Sequence, residues 1–385
     1  MADLADYYRE IYARGLAGET PAIPVAVAEL EERAMAAMEP RIANYVGAGA
    51  GSEETIRANR EAFRRRRIVP RMLRDVSARD LSTTILGTQM PAPLLLAPIG
   101  VQQGVHEEGE LATARAAAAV GVPMIASTAS HFPLEEIAEA GGPEAPRWFQ
   151  LYWPNDPGLA RSMVERAERA GYGAIVLTVD TLNLGWRPRD LGNGYFPFLA
   201  GHGLEQFFSD PVFAERLEKT PTEDRATASL MALAAFSNLA LTWDDLGRLR
   251  EWTSLPVLLK GILRGDDATR ALDLGIDGIV VSNHGGRQVD GSIAALDALV
   301  EVRDAVGPDP VVLMDSGVRT AADVLKAVAL GADAVLLGRP YVYGLAVAGQ
   351  EGVETVIRQL AGEIDLTMAL AGARNVAELD RSFVV

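Results

Sequence analysis

The sequence predicts an α/β fold, a (β/α)8 TIM barrel, and three observations carry that prediction. Eight short runs rich in Val, Ile and Leu recur along the 385 residues. Each is continuously apolar rather than alternating, the pattern of parallel strands covered on both faces. Helix-like segments lie between them. The runs end in polar or glycine residues, and in a barrel the strand C-termini are where function collects. An open doubly wound sheet is the alternative, but no G-x-G-x-x-G opens a helix after a strand. The nearest string, GAGAGS at 47–52, follows a helical segment and reads as a cap and turn.

Taken in order, residues 1–90 precede the first run and are expected to form an N-terminal helical extension with a small cap. The runs are PLLLAPIG (93–100), VPMIAST (122–128), RWFQLYW (147–153), AIVLTVDT (174–181), PVLLKGI (256–262), GIVVSN (278–283), PVVLMDSG (310–317) and AVLLGRP (334–340). Between them EEGELATARAAAAVG, PLEEIAEAG, DPGLARSMVERAERAG, DDATRALDLG, IAALDALVEVRDAVG and TAADVLKAVALG read as helices. Several close on a glycine, as helix C-termini often do. Residues 190–241 interrupt the fourth unit with GNGYFPFLAGHGLEQFFSDP and an apolar segment. An insertion after a barrel strand lands on the catalytic face, so a lid is expected there. The whole chain, 1–385, is expected to be a single barrel domain. The four arginines at 64–67 read as a solvated or subunit-facing patch.

Composition narrows the function. A net charge of −16 disfavours nucleic-acid phosphates and anionic lipid as partners. With no cysteine, disulfides, thiolate metal sites and a thiol nucleophile are excluded together. No run reaches the roughly 18 apolar residues of a membrane span. The opening MADLADYYRE is acidic and broken, unlike a secretory leader. A soluble, cytoplasmic protein is the expectation.

The strand ends supply the chemistry. SGVR and GRP close the seventh and eighth runs, the usual phosphate position of this fold. Their glycines admit a close backbone approach, and Arg319 and Arg339 offer guanidinium forks. Lys260 reads as a Schiff-base lysine, as a fixed cation beside an electron-accepting ring, or as a side chain snorkelling to the rim. Ser127, Gln150 and Thr178 offer the hydrogen bonds that a flavin's pyrimidine edge requires, although spacing alone leaves pyridoxal phosphate open. In SNHGGRQVDG (282–291), His284 follows a buried strand and Arg287 comes three residues later. That pairing suits a base beside a carboxylate clamp. Asp180 is placed to hold the imidazole, and Arg187 to supply a second cation.

These motifs, SNHGGRQVDG with QLY, LTVDT, LLKGI and DSGVR in the same order, closely resemble the FMN-dependent L-2-hydroxy acid oxidising family over about residues 45–339. The resemblance implies FMN as cofactor, with His284 as base and Asp180 its support. Arg187, Arg287, Tyr45 (in ANYVGAGAG) and Tyr152 would contact the substrate. Pro98, Ile99, Gly100, Ser127, Gln150, Thr178, Lys260, Ser282, Asp315, Gly317, Arg319, Gly338 and Arg339 would bind FMN, with Lys260 near flavin N1. The implied reaction takes a small 2-hydroxy acid to a 2-oxo acid, with oxygen or another acceptor reoxidising the flavin. No metal is implied, and a homotetramer or homo-octamer is. Within the family, GWRPRDL (185–191) and the insertion are most like the lactate 2-monooxygenase branch. Gly100 stands where typical oxidases have alanine, and the missing methyl is expected to alter oxygen access. Gly286 and Ser316 also depart from frequent family residues, and both are expected to be benign. A non-redox FMN barrel isomerase is the competing class, disfavoured because its diphosphate substrate has no use for two carboxylate arginines.

Overall fold

A computed structural model describes residues 6–385. Its centre is a closed barrel of eight parallel strands: β1 (Leu94–Leu96), β2 (Met124–Ser127), β3 (Arg147–Leu151), β4 (Ile175–Thr178), β5 (Val257–Ile262), β6 (Gly278–Val281), β7 (Val311–Met314) and β8 (Ala334–Leu337). Closure comes from β8 pairing with β1 in the register Val335 to Leu94. Every expected strand is present.

The continuous apolarity of the runs has a direct cause. Leu95, Ile125, Trp148, Val176, Leu258, Val280, Leu313 and Leu336 point inward and form one buried cluster. Their strand neighbours, such as Leu94, Phe149, Ile175, Leu259 and Ile279, point outward into a second cluster shared with the helices. Each strand residue therefore meets an apolar layer whichever way it points. Fully burying one such side chain contributes about 1.5–3 kcal/mol.

The extension before the barrel does two jobs. A hairpin, Thr83–Ile85 paired with Thr88–Met90, puts Ile85 and Met90 into the inner cluster, and Thr88 Oγ1 accepts from Trp148 Nε1 at 3.1 Å. It packs under the N-terminal end of the barrel, and a large pocket lies at the other end, by the strand C-termini. Among the described residues four helices precede the hairpin, and the last of them, Glu54–Arg65, packs beside the 284–286 turn. Within the arginine run, Arg65 and Arg66 both pair with Asp297, at 2.5 and 3.1 Å, as a surface patch would.

Part of the insertion is fastened away from the barrel mouth. Residues 205–214 lie along the barrel's side, stapled by Arg166 of the helix Pro157–Arg169. Arg166 donates to Asp210 at 3.1 Å and the Gln206 carbonyl at 3.0 Å. Gln206 in turn accepts from Leu134 N at 3.0 Å and donates to the Phe132 carbonyl at 2.7 Å. From 190–241 only Phe198 and Phe236 line the pocket at the barrel mouth. Among the described residues, no helix is long and apolar enough to cross a membrane.

Candidate active site

At the end of β6 the chain turns sharply through three left-handed residues, His284, Gly285 and Gly286, with φ of +59°, +63° and +76°. The helix Glu54–Arg65 buttresses this turn. Asn59 and Asn283 exchange amide hydrogen bonds of 2.8 and 2.7 Å. Asp290, at the end of the same motif, accepts from Ser52 N at 2.6 Å and Thr55 N at 3.1 Å, so it caps that helix from across the chain. A Cβ on Gly286 would sit 2.7 Å from Ile56 Cγ1 and 2.8 Å from its backbone nitrogen. Glycine here lets the turn lie close against Ile56.

The turn aims the imidazole into the pocket. His284 Nδ1 lies 2.9 Å from Asp180 Oδ1 and 3.1 Å from Thr181 Oγ1, and Thr181 itself donates to Asp180 at 2.9 Å. That pattern places the proton on Nδ1 and leaves Nε2 as a free acceptor, 3.5 Å from the Tyr152 hydroxyl. Burial pushes the His284 pKa below its ordinary value; Asp180 opposes this, while Lys260 and Arg187 add to it. The resting ring is neutral. Burial alone would raise Asp180, yet His284 and Lys260 together hold it below the usual carboxylate range. Tyr152 is pushed up by burial and stays a donor.

Cations gather here with few matching anions. Arg287 stacks on the Tyr45 ring, 5.0 Å from its centroid, and donates only to the carbonyls of Tyr45 and Ala48, at 2.7 and 2.8 Å. Burial first, and Arg187 next, push its pKa down to about 9. A guanidinium so placed is stabilised by an incoming anion. Arg187 is buried, held by the Arg287 carbonyl and Gln288 Oε1, each at 3.1 Å, with Asp190 Oδ2 4.0 Å from its guanidinium. Gln288 also donates to the Asp180 carbonyl at 2.9 Å. On the phosphate side Arg319 bonds the Val318 carbonyl, and Arg339 bonds those of Val46, Gly285 and Ala48. Neither forms an ion pair among the described residues.

The wall between these groups is polar and buried. Lys260 Nζ is 3.1 Å from Asp315 Oδ2 and donates to Ser282 Oγ at 2.9 Å. Burial alone would lower its pKa, but Asp315 and then Asp180 outweigh that and leave it raised, so it is a permanent cation. On neighbouring strands, Ser127 donates to Gln150 Oε1 at 2.9 Å, which fixes Gln150 Nε2 as the free end. That Nε2 and the Thr178 hydroxyl are buried with no partner.

Fifteen of the nineteen residues singled out from sequence line one pocket: Tyr45, Pro98, Ile99, Gly100, Ser127, Tyr152, Arg187, Lys260, His284, Arg287, Asp315, Gly317, Arg319, Gly338 and Arg339. Gln150, Thr178, Asp180 and Ser282 stand just behind it. The pocket holds about 1280 Å³ of space free of protein atoms, part of it open to solvent. Three sequence expectations need correction or addition. A Cβ on Gly100 would meet the Ala129 carbonyl oxygen at 2.4 Å and Ala129 Cβ at 2.6 Å, so the missing methyl leaves no oxygen channel; Ala129 fills the place. Ser316 is a hub rather than a benign replacement. Thr181, Gln288, Phe198 and Phe236 were not identified; Thr181 and Gln288 sit inside the motifs and were legible there, whereas the two phenylalanines carry no local signal.

Residues 34–385 match the family model of FMN-dependent dehydrogenases. The chain belongs to that family. An L-lactate oxidase from Lysinibacillus sphaericus is 44% identical over 370 residues, 96% of this chain and 95% of that one. An L-lactate oxidase from a Nostoc species is 46% identical over 363 residues, 94% and 98% of the two chains. A crystal structure of mandelate oxidase matches with a TM-score of 0.81 at 41% identity, covering 93% of this chain and 97% of the other. As a member of the FMN-dependent dehydrogenase family, the protein is an FMN-dependent 2-hydroxy acid oxidoreductase.

The pocket fits the family's cofactor. Two buried donors without partners, Gln150 Nε2 and Thr178 Oγ1, suit the hydrogen-bonding edge of a flavin ring. Two guanidiniums without carboxylates suit a phosphate. Beside them a Cβ on Gly338 would meet nothing nearer than Ile99 Cδ1 at 3.8 Å, so the backbone there is open to a ligand.

Proposed function

We propose that the protein oxidises L-lactate at this pocket and carries it with O2 to acetate, CO2 and water, as a lactate 2-monooxygenase does. The observation that carries the substrate reading is the neutral His284 Nε2 beside Arg287, a half-buried guanidinium bonded to carbonyls and to no carboxylate among the described residues. A 2-hydroxy acid answers both: its carboxylate pairs with Arg287 and Arg187, and its hydroxyl faces Nε2. His284 then takes the hydroxyl proton, and Asp180, 2.9 Å from Nδ1, stabilises the imidazolium. Tyr45 and Tyr152 orient the carboxylate and hydroxyl. When bound, FMN supplies a two-electron acceptor. Lys260 offers it fixed positive charge, Gln150, Thr178 and Ser127 hold its ring, and Arg319, Arg339, Gly317 and Gly338 its phosphate. Pro98, Ile99 and Gly100 line the cavity's apolar side. Asp315 and Ser282 hold Lys260 in place.

The monooxygenase outcome is supported by GWRPRDL and by an insertion fastened to the barrel, with Phe198 and Phe236 walling the pocket. Slow escape of pyruvate and peroxide gives them time to react with each other. The second reading is an oxidase that releases both, favoured by the two relatives named L-lactate oxidase. Turnover of L-lactate in air without catalase separates them: acetate and CO2 are expected, and stoichiometric pyruvate with peroxide would establish the oxidase. Failure of any small L-2-hydroxy acid to bleach the flavin anaerobically would remove both.

A further inference from the structure

The Ser316 hydroxyl sits where three parts of the site meet. Its backbone is left-handed, with φ of +75°, a conformation glycine takes freely and other residues take at a cost. The side chain is buried. Its Oγ donates to Asp315 Oδ1 at 2.7 Å and accepts from Gly285 N at 2.9 Å and Asn283 N at 3.3 Å. Asp315 holds Lys260 through its other oxygen at 3.1 Å. Lys260 donates to Ser282 Oγ at 2.9 Å, and that oxygen accepts from His284 N at 3.0 Å. The bonds close a ring running from β5 through the end of β7 to the turn that carries the imidazole.

From this ring we propose that Ser316 is a positioning residue: its hydroxyl ties Asp315 and Lys260 to the His284 turn and keeps base and lysine in one fixed geometry. The kinetic part rests on the reading of His284 as the base. Among the described residues Gly285 N and Asn283 N bond no backbone carbonyl outside helices and strands, so the Ser316 oxygen restrains the segment that aims the ring. Glycine at 316 would relax the backbone and lose those bonds. Alanine would keep the strained backbone and lose the same bonds. The two replacements therefore separate conformation from hydrogen bonding.

The test uses the FMN-loaded full chain with Ser316→Ala, Ser316→Gly and, as a shape-preserving control against misfolding, Ser316→Cys. Backbone hydrogen exchange at 283–286, the FMN dissociation constant and anaerobic flavin reduction by L-lactate are measured. Both Ala and Gly variants are expected to exchange Gly285 about tenfold faster or more. They should hold FMN within about threefold of wild type and be reduced roughly 10–100-fold more slowly with little change in KM. Ser316→Cys should fall between. Wild-type exchange and reduction in Ser316→Gly would overturn the proposal, as would weakened FMN binding with normal reduction of the loaded fraction. If no 2-hydroxy acid reduces even the wild type, the functional reading falls, and exchange at Gly285 still decides the role of Ser316 in holding the turn.

Discussion

Replacing Asp180 by Asn keeps the shape of the His284 pair and removes its charge. Asp180 Oδ1 accepts from His284 Nδ1 and from Thr181, both at 2.9 Å, while Oδ2 is buried without a partner. In the resting site the imidazole is neutral. Once Nε2 has taken a proton, its charge centre and that of the carboxylate stand about 4 Å apart, an attraction of ~4 kcal/mol at an effective dielectric near 20. An amide dipole recovers only part of that, so the barrier should rise by ~3 kcal/mol, roughly 10²-fold in rate. The pH profile carries a second signature. Activity needs neutral His284, whose pKa already lies below its ordinary value, so kcat/KM falls as pH drops through that value. Loss of Asp180, the group that pulls the pKa up, moves the acid limb lower still. FMN affinity should change little, because Asp180 stands behind the pocket wall. The assay is anaerobic stopped-flow bleaching of the flavin by L-lactate from about pH 5 to 9. Reduction within about threefold of wild type, or an unmoved acid limb, would refute the base assignment.

Three other expectations follow from the same geometry. Arg287→Lys keeps charge but cannot bond both the Tyr45 and Ala48 carbonyls and still present a fork, so KM for lactate should rise about 10–100-fold with FMN binding preserved; an unchanged KM would contradict the carboxylate role. Arg166→Ala leaves Asp210, which is completely buried, without its cation, at a cost of about 3–5 kcal/mol. A urea midpoint and a rate of proteolysis within 205–224 equal to wild type would show that the staple is unimportant. Glu110 and His131 oppose each other in pH. Burial raises Glu110 to about 7, so its contribution is full below its unfolded value near 4.5 and is lost as pH rises to about 7. Burial lowers His131 to about 4, so its contribution is full above 6.5 and is lost as pH falls toward 4. Glu110→Gln removes the first and leaves the second, and melting temperature should then drop on acidification from 6.5 to 4 more steeply than in wild type. Parallel profiles would be the contrary result.

By itself the sequence determined the barrel and much of the pocket, because both are written in local patterns. A strand buried on two faces must be apolar throughout, so β1 to β8 were visible one by one. The catalytic face follows from chain direction alone, and SNHGGRQVDG placed a histidine and an arginine at one strand end. Tertiary structure decided what depends on distance across the chain. The insertion reads as one segment after a strand, yet Arg166 and Gln206 fasten residues 205–214 of it to the barrel's side, contacts between segments some 40 residues apart. Gly100 looked like an opened space until Ala129, from the next strand's loop, was seen to occupy it. Ser316 looked like a small residue in place of a glycine, and its three bonds lead to Asp315 next door and to two residues over thirty positions away. A linear pattern reports what a residue prefers locally; whether a hydroxyl has a partner or a vacancy has a neighbour is settled only when separate strands close into one barrel.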